Sequence, residues 1–504
     1  MMKFTRRQGT TIYLQARHCI LVAYVTILTL AVALAQTSPD KPKATDWAQL
    51  QGNAAHTGFS PDQPRPPFQL KWVRDLKEPT QSASQVILAE DKIFVGTGWG
   101  NLHALNLSDG KTLWTYRTDA PIFGTPAYAD GRVFVASCDR RVYAVSAADG
   151  KPLWTYATGE PIWASPVLAE RCVYIAGRDG FVYALDAATG RLAWKSPVAE
   201  PVLSTPAFAD GVLYVGVGDM RVYALDGRDG HLVWKSEKIP GAAFREYWLV
   251  ASHGVVLATV QHPFSTRHID RSLDQLVMRP FIDAHRDDRV LVEDEVFPAL
   301  AEQYRRHPQW RTHFALDAAT GREKFIPPIV GVEGGGCISM PAAVSPDGWA
   351  YTMYGNITLA ASGKAFLGRY HLKNGRMEPL LKNRFAGAAQ MPGRPGFVLR
   401  DGAPPGSGDL YGGFAVMDQS WGVTVGGSIV FPVRDPSHPR DAPHFNWHDL
   451  RTGEGGGFAE QLRQLEGLGT FGCGYHSTCS AVAIRGNILA YKSPQSVIFV
   501  FEGQ

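Results

Sequence analysis

The chain has 504 residues, 45% of them hydrophobic, with 52 glycines, 34 prolines, 13 tryptophans and 18 tyrosines. That is apolar material for one large core in a turn-rich chain with aromatic strands, which excludes a disordered polymer and a helical bundle. The formal net charge is +3, with Lys3, Arg6, Arg7 and Arg17 in an acid-free start, so the remainder is near neutral; this excludes nucleic acid and anionic lipid surfaces as main partners.

Residues 1–35 read as an export signal. Basic residues through Arg17 precede an apolar run from Cys19 to Ala35 that ends in Ala33-Leu34-Ala35, the layout of a cleavable signal peptide. The run is also close to the shortest that spans a bilayer, so a retained anchor stays open. Cleavage leaves a periplasmic or secreted protein, without a membrane span and expected to be monomeric. Residues 36–64 form an N-terminal extension to which the sequence assigns no structure.

From there the chain repeats. Trp114, Trp154, Trp194 and Trp234 stand forty residues apart, each four residues after a glycine: Gly110, Gly150, Gly190 and Gly230. Upstream of each lies a matching strand, as in Val142-Tyr143-Ala144-Val145 and Val182-Tyr183-Ala184-Leu185. A period of this length marks a repeat architecture. In the second unit strand A is expected near Phe123–Tyr128, strand B at Arg132–Ser137, strand C at Arg141–Ser146 and strand D ending at Trp154. Four short antiparallel strands cannot bury both faces alone, so neighbouring units must stack as propeller blades. The tryptophans Trp72, Trp114, Trp154, Trp194 and Trp234 are then wedges docking one blade on the next.

Weaker copies carry C strands at Phe314–Leu316, Arg369–Leu372 and Trp447–Leu450, with Phe325 in a tryptophan position. The tail from Ser480 to Glu502 has strands A, B and C but lacks D, whereas Gln69–Val73 is an orphan strand before the first full unit. The predicted fold is therefore all-β: an eight-bladed β-propeller over residues 65–504, closed by pairing of the N- and C-terminal strands. Blade five carries an insertion, residues 262–311, with a helix expected over Asp294–Tyr304 presenting Val296, Phe297, Leu300 and Tyr304 on one side. Residues 391–420 form a Gly/Pro-rich loop. Cys473 and Cys479 flank a short loop before the closing blade and are disulfide candidates in an oxidising compartment.

Strand order puts the B-to-C and D-to-A turns on one face. That face offers a candidate ligand rim: Trp99, Asp139, Arg140, Glu160, Arg178, Asp179, Glu200, Asp219 and Arg221. His268, Asp270, His285, Asp287 and Asp288 in the insertion are metal-ligand types without a recognised spacing, and no metal site is expected.

Ala184-Leu185-Asp186-Ala187-Ala188-Thr189-Gly190-Arg191-Leu192-Ala193-Trp194 resembles the repeat signature of the bacterial PQQ-like (quinoprotein-like) β-propeller family. That family includes the outer-membrane assembly-factor (BamB-type) branch and dehydrogenases that carry pyrroloquinoline quinone (PQQ) with Ca²⁺. The first branch implies a non-catalytic scaffold with envelope or periplasmic protein partners, or a binder of a small polar ligand. The second implies oxidation of alcohols or sugars. The chain lacks the adjacent cysteine pair and the Cys-x-x-Cys-His haem motif of the dehydrogenase branch, and it has no Gly-x-Ser-x-Gly elbow, Walker loop or zinc-binding His-Glu-x-x-His. No catalytic residue is assigned, no cofactor is firmly indicated, and PQQ with Ca²⁺ is the alternative to a binding role.

Overall fold

The computed structural model describes residues 44–62, 64, 68–81, 84–244, 247–261, 293–327, 341–354, 366–379, 482–492 and 496–503, with the strand segments 390–391, 394–395, 423–425, 428–434, 443–449 and 455–457. The signal segment, Cys337, Cys473, Cys479, the five metal-ligand types of the insertion and most of the 391–420 loop lie outside the described residues.

Each forty-residue unit folds into one antiparallel sheet. The second runs Ala127–Ala129, Arg132–Ser137, Arg141–Ser146 and Pro152–Ala157, paired in that order. Strand A is shorter than expected because Pro126 has no N–H for a ladder and Thr125 turns its own N–H onto Ser165 of the following unit. Strand D outruns Trp154: beyond a register shift between Pro152 and Trp154, Thr155–Ala157 pair with Tyr143–Arg141. Among the described residues there are seven four-stranded sheets, one of five strands and one of two, and the fold is that of a β-propeller. The orphan strand Gln69–Asp75 pairs antiparallel with Val497–Glu502, with Gln69 opposite Glu502 and Asp75 opposite Val497, as the sequence predicts.

The tryptophans dock sheet on sheet. A β-bulge just before each residue rotates the indole onto the C-to-D turn of the next sheet; the ring of Trp154 covers Gly190, and those of Trp72, Trp114, Trp194 and Trp234 cover Gly110, Gly150, Gly230 and Gly321. Each indole Nε1 also donates to a carbonyl of that turn: Trp72 to Leu107 (3.0 Å), Trp114 to Ala147 (3.1 Å), Trp154 to Ala187 (3.1 Å), Trp194 to Gly227 (2.9 Å) and Trp234 to Ala318 (2.9 Å). Glycine is required under the indole. At Gly190 the backbone has φ +72°, and an added Cβ would lie 2.6 Å from the Trp154 ring. An anchor that buries area and satisfies its N–H in one contact contributes roughly 1.5–3 kcal/mol from area alone.

Within the insertion the helix spans Glu293–Arg306, with Leu300 and Tyr304 buried. No helix among the described residues is long and apolar enough to cross a membrane.

Candidate functional site

The innermost strand of each sheet leaves one edge without a ladder partner, facing the axis, and its N–H groups need acceptors. The N-terminal extension supplies them. Trp47 O accepts from Leu88 N, Ala48 O from Tyr128 N, Ala54 O from Phe208 N, Ala55 O from Ala251 N and Thr57 O from Val344 N, over 2.6–3.0 Å. The Gln49 amide exchanges two bonds with Leu168 (2.9 and 3.2 Å). Phe59 and Ser60 then run parallel to Val423–Val425. Leu88, Tyr128, Leu168 and Phe208 are forty residues apart, so the extension reads the same position of successive sheets. Its two ends meet: Asp62 Oδ2 accepts from Thr45 N (2.9 Å) and from Gly486 N, and Asp46 Oδ1 pairs with Arg485 Nε (2.7 Å). Residues Thr45–Asp62 thus form a hoop that touches the seven four-stranded sheets and the five-stranded one and returns to the last.

Beside the hoop, toward the D-to-A ends of the inner strands, lies a cavity of about 270 Å³. Leu50 of the hoop lines it, as do Gln81, Ser84, Thr125, Ser165, Ser204 and Thr205, with Gly124, Leu203 and the aromatic residues Phe123, Trp163, Tyr247 and Trp248. Successive strand starts are tied by a relay of side chains accepting backbone N–H groups: Gln51 N to Gln85 Oε1 (3.0 Å), Gln85 N to Thr125 Oγ1 (2.9 Å), Thr125 N to Ser165 Oγ (2.9 Å) and Ser165 N to Thr205 Oγ1 (3.0 Å). No charged side chain lines the cavity among the described residues.

His56 of the hoop is fully buried. Its Nδ1 donates to Leu249 O at 2.9 Å, its ring edge meets Trp248 at 6.4 Å, and its Nε2 has no hydrogen-bond partner among the described residues. Burial lowers its pKa to about 4, against the weaker opposing effect of the Leu249 carbonyl, so the ring is neutral at physiological pH.

The sequence-predicted rim is largely occupied in building the turns. Asp139 Oδ2 accepts from Asp119 N (3.1 Å) and Tyr143 Oη (2.7 Å). Asp179 Oδ2 accepts from Gly159 N (2.8 Å) and Tyr183 Oη (2.6 Å), and its Oδ1 from Phe181 N (3.2 Å). Asp219 accepts from Tyr223 Oη and pairs with Lys235, both at 2.9 Å. Burial, with the neighbouring carboxylate, raises the pKa of Tyr143 and Tyr183. Each aspartate therefore binds the tyrosine four residues on and, in the two earlier sheets, pins the D-to-A turn behind it. The first sheet has Trp99 and His103 at these positions, and there Glu78 from the adjoining turn takes the carboxylate's part, accepting from Thr97 (2.7 Å) and Asn101 and meeting His103 Nε2 at 3.1 Å. Arg221 donates to Ser236 O (2.7 Å). Trp99, Arg140, Glu160 and Glu200 are exposed. Arg178 alone of the rim reaches the cavity wall, with its guanidinium 4.6 Å over the Trp163 ring. In the exposed turn Asp226–His231, Arg228 takes both Asp226 oxygens (3.0 and 2.7 Å) and His231 Nδ1 sits on Asp229 (2.7 Å), so this cluster is paired internally.

Sequence reasoning missed the hoop and the cavity. A signal for the relay was present: Thr125, Ser165 and Thr205 keep the forty-residue period in a strand start where a hydroxyl has no intra-sheet role.

A family model described as outer membrane protein assembly factor BamB matches residues 69–165 and 157–263. No curated protein matches the sequence. Among solved structures, the chain is similar to a quinohemoprotein alcohol dehydrogenase from Pseudomonas putida (12% identity, 91% of this chain and 80% of that one, TM-score 0.52) and to one from Comamonas testosteroni (14%, 91% and 81%, TM-score 0.51). BamB from Moraxella catarrhalis aligns at 13% identity over 86% and 99% of the two chains, with a TM-score of 0.47. At such identities the likeness to solved structures concerns fold alone. Over residues 69–263 the repeats match the assembly-factor family model, and with the four-stranded sheets they build the chain resembles the PQQ-like β-propeller repeat family.

Proposed function

We propose that this chain is an exported, non-catalytic binding propeller of the cell envelope that holds a small polar ligand in its axial cavity and presents its loop face to envelope proteins. The observation that carries the reading is the chemistry of the cavity: hydroxyls, an amide and aromatic rings with no carboxylate among the described lining residues. Ca²⁺ takes six to eight oxygen ligands with carboxylates prominent among them, and an Asp acting as base would have to face the same space. The described lining fits neither requirement; of the rim aspartates, Asp139 and Asp179 hold tyrosines and turn amides and Asp219 a tyrosine and Lys235, with Asp139 Oδ1 and Asp219 Oδ1 left without a partner among the described residues, and none of the three lines the cavity. A site that orients a ligand without an acid, base or metal favours binding over turnover.

The test is reconstitution. Purified protein incubated with PQQ and Ca²⁺, then desalted, is expected to retain no quinone chromophore and to reduce no dye with alcohols or sugars. Retained quinone with dye reduction would replace this reading by the dehydrogenase one.

A further inference from the structure

Three buried hydroxyls of the cavity have a proton to give and nowhere to give it. Thr125 Oγ1, Ser165 Oγ and Thr205 Oγ1 each accept a backbone N–H from the preceding sheet, which fixes the oxygen. None of the three donates to an acceptor among the described residues, although each residue is more than nine-tenths buried, at 1%, 4% and 8% exposure. Ser84 and Ser204 differ, since they donate to Gln81 O and Gly216 O. A hydroxyl used only as an acceptor and shut away from bulk water leaves a donor whose desolvation is uncompensated. Here three such donors are set one per sheet along an arc, so acceptors spread around the edge of one ligand would satisfy them.

The rest of the wall narrows the ligand. An anion would enter a cavity whose described lining holds no cation, which is costly. Phe123 and Trp163 meet edge to face at 6.0 Å, with Arg178 bracing Trp163, and they offer an apolar surface beside the donors. At about 270 Å³ the space falls just under the roughly 300–1,000 Å³ of drug-sized sites, which suits one small ring. A molecule with oxygens around its edge, C–H groups on its faces and no charge is a sugar ring.

We propose that the cavity binds a single neutral pyranose, bound and not oxidised; this rests on the non-catalytic binding reading above. The test is saturation-transfer NMR on the whole protein with the methyl glycosides of glucose, galactose, mannose and N-acetylglucosamine at millimolar concentration. At least one is expected to receive saturation. Trp163→Ala should weaken that binding tenfold or more with an unchanged circular dichroism spectrum, Thr205→Val should abolish it, and Thr205→Ser, which keeps the hydroxyl, should retain it. Absence of transfer from all four glycosides, or transfer unchanged in both Trp163→Ala and Thr205→Val, would overturn the sugar assignment. If that happens while PQQ is still not retained, the binding reading survives; if PQQ is retained and dye is reduced, that reading falls instead.

Discussion

The buried imidazole of the hoop makes stability depend on pH in a calculable way. His56 titrates at about 4 in the folded protein against 6.5 for the free side chain, so below pH 6.5 the unfolded chain binds the proton that the folded one refuses. The group costs nothing above pH 6.5, and stability is lost progressively as the pH falls toward 4. Linkage gives a loss of about 2 kcal/mol at pH 5 relative to pH 8, approaching about 3.4 kcal/mol below pH 4. His56→Asn isolates this contribution: asparagine tolerates the left-handed backbone that His56 adopts, φ 57°, and its amide can donate to Leu249 O, but it does not titrate. Unfolding free energies from urea titrations at pH 8 and pH 5 should then fall less steeply in the variant, by about 2 kcal/mol across that interval. Carboxylates elsewhere titrate alike in both proteins and cancel in the difference. Parallel pH profiles would refute the placement of His56 as a buried neutral ring.

Three further outcomes follow from named contacts. Gly190→Ala forces a left-handed alanine against the Trp154 indole and should destabilise by about 2–4 kcal/mol in denaturant unfolding, whereas Gly211, whose turn has open space where a Cβ would go, should cost only the backbone strain of about 1–2 kcal/mol as alanine. Asp179→Ala removes the acceptor of Gly159 N, Phe181 N and Tyr183 Oη and should cost about 2–3 kcal/mol; unchanged stability would mean the carboxylate is free for a ligand. Asp62→Ala unfastens the hoop from Thr45 and Gly486, so hydrogen exchange at the amides of Leu88, Tyr128, Phe208 and Ala251, which lie on different sheets but bond to one segment, should accelerate together, about tenfold for each 1.4 kcal/mol of lost closure.

The fold was legible because one contact recurs. A tryptophan every forty residues and a glycine four residues before it mark two halves of the same joint: Trp154 rests on Gly190, which in turn precedes Trp194. Repetition made the sheets readable from the Thr112–Arg117 strand onward, and the unmatched strand at Gln69–Asp75 was readable as the partner of the tail because a D strand was missing there. The aspartates at 139, 179 and 219 carry the same period, and for the same reason they are structural: each meets the tyrosine of its own C strand. Their placement on the loop face made them look like ligand groups, but a residue that repeats with the sheet serves what every sheet needs.

The hoop was not legible because it does not repeat. Residues Thr45–Asp62 contact successive sheets with different groups, a carbonyl at Trp47 and Ala48, a side-chain amide at Gln49, carbonyls again at Ala54, Ala55 and Thr57, so the segment carries no period even though the row of N–H groups it satisfies does. What demanded it was visible only as an accounting problem: every inner strand has an edge without a ladder partner, and buried amides need acceptors. The same accounting underlies the proposed ligand site. Where the hoop supplies acceptors, the inner edge is satisfied from within the chain. At the D-to-A ends, where the hoop contributes only Leu50 and the amide of Gln51, the hydroxyls of Thr125, Ser165 and Thr205 satisfy the neighbouring amides and are themselves left as donors. These three donors therefore all stand on the wall of one cavity, one per sheet.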